Sequence, residues 1–167
     1  MNSPASQTPI VFVTGGVVSS LGKGISAAYA TPGTTAAQRK LAGTLLAAIG
    51  DVVWLDGEEL LNAVTAVSGS GPAYVFLLVE ALAAAAERQG LSADIAKRLA
   101  RKTIEGAGAL LAVTPMDPAT LRQSVTSPGG TTEAALTVLM GEGRLETLLK
   151  EAVDAATARG FELAKTR

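Results

Sequence analysis

The chain has 167 residues, enough for one sizeable core and too few for two ordinary domains. Lys plus Arg number 14 against 15 Asp plus Glu, a net charge of −1 with the basic residues scattered, so no basic face or stripe exists to track nucleic-acid phosphates. With neither Cys nor His, disulfides, thiolate metal sites and imidazole acid–base chemistry are excluded.

In chain order, Met1–Pro9 is short and polar, without the basic start and apolar stretch of a signal peptide, and Asn2–Thr8 reads as disordered. No apolar run reaches the roughly 20 residues of a membrane span, so the chain is expected to be soluble and cytoplasmic, with no membrane partner. Ile10–Thr14 is β-branched and aromatic and predicts a buried strand entering a glycine loop, Gly15 to Gly24. Composition leaves Ile25–Ala30 open between strand and helix. Thr31-Pro32-Gly33 would stop a helix there after about two turns, too few to hold itself, so a strand beside Val52–Leu55 is expected.

A helix follows from Thr35 to about Ile49, with Thr34 or Thr35 as N-cap, Leu41, Leu45 and Ile49 along one face, and Gly50 just past the end. After a short strand ending at Leu55 only helices are expected. They are Glu58–Val64, Gly71–Gln89 closed by Gly90, Ala93 to about Ala112 capped by Ser92, Pro118–Val125 capped by Asp117, Thr131–Met140, and Arg144–Lys165. The fold class is therefore mainly α, with a small residual sheet of strands 10–14, 25–30 and 52–55. Three stretches organise it: 1–24 with the first strand and glycine loop, 25–56 as strand–helix–strand, and 57–167 as a helical domain.

The stretch Tyr74 to Ala86 is apolar on nearly every helical face and must be surrounded. A second copy of the chain across a two-fold interface is the simplest source of that cover; central burial within one chain is the alternative.

Two segments depart from alanine-rich packing. In Thr65-Ala66-Val67-Ser68-Gly69-Ser70-Gly71-Pro72-Ala73-Tyr74, hydroxyl residues and glycines precede a Pro, which reads as an open helix end suited to a carboxylate. Val125-Thr126-Ser127-Pro128-Gly129-Gly130-Thr131-Thr132 opens a helix in the same way. Either segment alone reads equally well as tight turns and caps.

Together, with Val64, Val75 and Phe76 around the first and Glu133-Ala134-Ala135-Leu136 after the second, they resemble the two signatures of pyrroline-5-carboxylate reductase, over roughly residues 22–167. The resemblance implies an interlocked helical homodimer that reduces 1-pyrroline-5-carboxylate to proline with NADPH or NADH. It also implies that Val125 and the backbone of Gly130, Thr131 and Thr132 hold the substrate's ring and carboxylate, with Ser68 and Ser70 near the ring nitrogen and the nicotinamide. Met140 departs from the acidic or amide residue usual at that place. The Gly-rich dinucleotide domain of such an enzyme is expected to be missing, leaving no cofactor and a small carboxylate such as proline as a weak ligand.

Residues Pro9 to Ile25 instead resemble the start of CTP synthase. That resemblance implies phosphate binding by Ser19, Ser20, Gly22, Lys23 and Gly24, with ATP as the ligand. The spacing from Gly16 to Gly22-Lys23 is one residue longer than the common phosphate loop, and Gly24 replaces its Ser or Thr. The two resemblances together point to an engineered chimeric homodimer without catalytic activity. A natural fusion or misassembled gene is the alternative origin, and an ATP binder or a residual reductase the alternative function.

Overall fold

The computed structural model describes residues 10–15 and 24–165. They fall into two compact units, one of residues up to Ala73 together with those from Val153 onward, the other Tyr74–Ala152.

The first unit is built on a three-stranded sheet in the order β1 (Ile10–Gly15), β2 (Gly24–Ala30), β3 (Gly50–Leu55). β1 runs antiparallel to β2, with Ile10 opposite Ala30 and Gly15 opposite Ile25. β2 and β3 are parallel, with Gly24 opposite Gly50 and Ala28 opposite Trp54. Ile25–Ala30 is thus a strand beside Val52–Leu55, as chain length predicts. Gly15 and Gly24, expected in an open loop, are strand residues instead, because backbone pairing reaches both, Gly15 with Ile25 and Gly24 with Gly50.

Helix α1 (Ala36–Ala47) crosses between the parallel strands. Its start is fixed by a reciprocal cap: Gln38 N–H donates to Thr35 Oγ1 (3.2 Å) and Thr35 N–H to Gln38 Oε1 (2.8 Å). α1 lies against β3. A Cβ on Gly43 would sit 3.8 Å from the Trp54 ring, the Arg39 guanidinium lies 4.6 Å from that ring's centroid, and Leu46 is buried. Leu41, Leu45 and Ile49, read as the helix's apolar face, are exposed, because the packed side is the one carrying Gly43 and Leu46. Gly50 does not end the helix in a left-handed turn; the C-cap is Ala48, and Gly50 opens β3. Its missing side chain has another cause: a Cβ there would strike the backbone of Gly24 on the neighbouring strand. Ser26, Ala27 and Ala28 of β2 are buried, a core of small side chains that lets elements approach closely.

After a turn at Gly57–Glu59, helix α2 (Leu60–Val64) lies beside β1 and β2 with Leu61 buried. A π-helical turn, Thr65–Gly69, joins it to α3 (Gly71–Arg88). The three pieces form one helix, Leu60–Arg88, 29 residues long, with a mean hydropathy of 1.4 in its most apolar window. By length and composition such a helix could cross a membrane, which corrects the expectation that no apolar run is long enough; the sequence hides it because Gly69, Ser70, Gly71 and Pro72 read as a break. The later part of α7 belongs to this unit too, and Gly160 there comes so close to α2 that a Cβ would lie 2.7 Å from Asn62 Oδ1.

The second unit holds α3 from Tyr74, α4 (Ala93–Val113), α5 (Pro118–Ser124), α6 (Thr131–Met140) and the first part of α7 (Arg144–Lys165). Gly90, at φ 94°, closes α3, with Leu91 N–H reaching back to the Ala86 carbonyl (3.3 Å). Asp117 caps α5 through Oδ1, which accepts from Ala119 N–H at 2.8 Å, and Pro118 takes the first turn. Ser92 occupies the N-cap of α4 without a side-chain bond to the helix. In this unit the buried residues are Ala83, Ala96 and Ala100, whereas Val75, Phe76, Leu77, Leu78 and Leu82 of α3 are exposed, Leu77 by 64%.

Candidate functional site

The two chemistry-bearing segments belong to different units, and each is a local surface of its own. In the first, Thr65 Oγ1 donates to the Leu61 carbonyl (2.8 Å), and Ser70 N–H donates to the Thr65 carbonyl (2.8 Å) across the wider π turn. Ala66 is buried, while Ser68 and Ser70 are half-buried. In a regular helix the Pro72 ring would collide with the carbonyl four residues earlier, that of Ser68, and would leave it without a donor. The π turn directly before Pro72 is the local answer, since an extra residue in the turn loosens the ladder where the proline needs room. This corrects the expectation of an open helix end at Ser68–Pro72. Ser70 keeps helical angles, φ −86° and ψ −21°, and the chain runs on into α3. A sequence signal existed: a proline four residues after Ser68, inside an otherwise continuous apolar helix pattern.

The second segment is a helix end as predicted. Val125 is the C-cap of α5 and is 65% exposed. Thr126 Oγ1 donates to the Arg122 carbonyl (2.7 Å) and its N–H to the Gln123 carbonyl (3.0 Å), closing α5. Ser127-Pro128-Gly129-Gly130 then turns the chain. Gly129 is left-handed at φ 71°, and Gly130 N–H donates to the Ser127 carbonyl at 3.0 Å. A Cβ on Gly130 would lie 2.9 Å from that carbonyl oxygen, so both glycines are demanded, one by conformation and one by space.

Gly130 is the N-cap of α6 and supplies no side-chain acceptor. Its own N–H is already engaged by Ser127, and the first intrahelical bond is Ala134 N–H to the Gly130 carbonyl (3.2 Å), which leaves the N–H groups of Thr131, Thr132 and Glu133, in the first turn of α6, as donors at the positive helix end. Val125, Gly130, Thr131 and Thr132 thus lie along one short stretch, from the C-cap of α5 to the first turn of α6. Sequence reading did not find Glu133: its Oε2 accepts from Gly129 N–H at 2.7 Å. An acidic residue at the third helical position is the signal that was available.

Of the residues matched to phosphate binding, Ser19, Ser20, Gly22 and Lys23 lie outside the described residues. Gly24 is the first residue of β2, paired to Gly50. The parallel crossover β2–α1–β3 is joined through Thr31-Pro32-Gly33-Thr34-Thr35, and the reciprocal Thr35–Gln38 cap occupies the N-terminus of α1.

Residues 58–163 match the family described as pyrroline-5-carboxylate reductase dimerisation. The chain is similar to pyrroline-5-carboxylate reductase of Pseudomonas aeruginosa, 48% identical over 145 residues, which are 87% of this chain and 53% of that protein. It is similar to the Vibrio alginolyticus protein of the same name, 36% identical over 162 residues, which are 96% of this chain and 59% of that protein. The solved pyrroline-5-carboxylate reductase of Coxiella burnetii superposes with a TM-score of 0.81 and 39% identity, over 92% of this chain and 56% of that one. The chain spans about half the length of the relatives it matches.

Proposed function

Because the chain belongs to the pyrroline-5-carboxylate reductase family, we propose that it works as a helical homodimerisation module carrying one part of a small-carboxylate site. The observation that carries this reading is α3. Val75, Phe76, Leu77, Leu78 and Leu82 are exposed within one chain, and an apolar helix needs cover. A second copy of α3 is the cover that the dimerisation match supports, and the alanines from Ala83 to Ala86 suit close helix approach.

Within that reading the Thr131 and Thr132 N–H groups receive the carboxylate of proline or pyrroline-5-carboxylate. Val125 offers the apolar contact beside them. Reduction of the pyrroline also needs a hydride, which a nicotinamide supplies when one is held. Residues 1–167 alone are expected not to turn over pyrroline-5-carboxylate, and no hydride step is assigned to them. The graft reading of residues 9–25 rests on their sequence. Against it, a reductase alignment over 162 residues reaches into that stretch, which favours treating it with the rest of the chain.

Hydrogen exchange along α3 tests the module. Protection of Val75–Leu82 that falls as the protein is diluted is the expected result. Protection independent of concentration, or recovery of the protein in a detergent phase, would overturn it.

A further inference from the structure

We propose that Glu133 is a positioning residue of the carboxylate site: through Gly129 it fixes the turn that aims the Thr131 and Thr132 N–H groups. The inference rests on the reading of that site given above and deepens it.

Gly129 and Gly130 are the two most permissive residues of the turn, and permissive residues cost the most conformational freedom to order. The turn is held at two points. Ser127 and Gly130 close it internally at 3.0 Å. The second hold comes from outside the turn, where the Glu133 carboxylate reaches back from α6 and accepts the Gly129 N–H at 2.7 Å. A charge-assisted bond of this length is among the stronger single holds available to an exposed loop. It ties the left-handed residue, φ 71°, to the same helix whose first N–H groups form the seat. The loop and the donors are thereby one rigid piece, and a ligand meets them already ordered.

The arrangement carries an opposing effect. Glu133 brings a negative charge to the end of α6 where a carboxylate is to bind, so its charge weakens what its hydrogen bond prepares. Glu133→Gln keeps an acceptor oxygen and removes the charge. Glu133→Ala removes both. These two variants are equal in charge, so charge does not account for a difference between them.

The experiment is an NMR study of the full chain as wild type, E133Q and E133A. It reads amide exchange at Gly129 and titrates L-proline against the Thr131 and Thr132 amides. In E133A the Gly129 amide is expected to exchange about fivefold faster than in E133Q, and proline to bind about fivefold more weakly, the effect of losing one hydrogen bond. E133Q is expected to bind about twofold more tightly than wild type at low salt. Equal Gly129 exchange and equal affinity in E133A and E133Q would overturn the positioning role. Flat titrations for all three proteins would overturn the carboxylate site itself, and Gly129 exchange would still decide whether Glu133 holds the turn.

Discussion

Ser127, Gly129 and Gly130 show how much a site of this kind depends on missing atoms. Gly130→Ala places a methyl group 2.9 Å from the Ser127 carbonyl oxygen, a backbone atom that cannot simply swing aside. The turn must open, at a cost of about 1–3 kcal/mol for local backbone strain. We expect the variant to keep its helical circular dichroism and to lose proline-induced shifts at Thr131 and Thr132; unchanged shifts would contradict this. A second residue-level expectation concerns Glu105. The Lys102 ammonium, hydrogen-bonded to the carboxylate at 2.6 Å, holds its pKa below the ordinary glutamate range against the opposing effect of desolvation, with Arg101 adding to the pull. A depressed carboxyl contributes stability that is present above its unfolded pKa and is lost as pH falls through the folded one. An NMR titration of Glu105 should have its midpoint below that of a free glutamate, and Lys102→Ala should raise it. At this scale the sequence named the glycines and threonines of the second segment, because glycine pairs before a helix start are a local signal. Glu133 was not legible as a partner of Gly129, since whether a carboxylate points to solvent or back over its own helix end depends on the turn's geometry.

Among the elements, the helix Leu60–Arg88 differs most from its expected form. Its parts were placed within about two residues, yet the junction was read as a break, because Gly and Pro usually punctuate helices. Here a π turn absorbs Pro72, a compensation with no signature in periodicity alone. The exposed ridge of Leu41, Leu45 and Ile49 is a second case: spacing defines an apolar face, but not which neighbour it meets. The packing of α7 on α2 gives a direct test. Gly160→Leu must displace Asn62, whose Oδ1, Cγ and Cβ would lie 2.7, 3.2 and 3.3 Å from the new Cβ. Overpacking of this kind costs about 1–3 kcal/mol, and denaturant unfolding should show it as a lower midpoint with an unchanged slope. On α3, Leu78→Asp separates one-chain from two-chain burial. Leu78 is 52% exposed within one chain, so a stable monomer would tolerate the charge. In a homodimer it is buried unpaired, a cost of several kcal/mol, and soluble folded protein is expected to disappear. A well-folded monomeric variant would count against the interface.

For the molecule as a whole, the mainly helical class, the three strands and the family were all legible in the sequence, the last through two signature segments whose order and flanks are specific. The antiparallel pairing of β1 with β2 was not, because register and partner choice are tertiary properties. The central claim, that this chain is completed by a second copy of itself, is tested most directly by light scattering of the purified protein at micromolar concentration. About twice the chain mass of 16.8 kDa, without dissociation short of unfolding, is expected. A folded species of 16.8 kDa would contradict it.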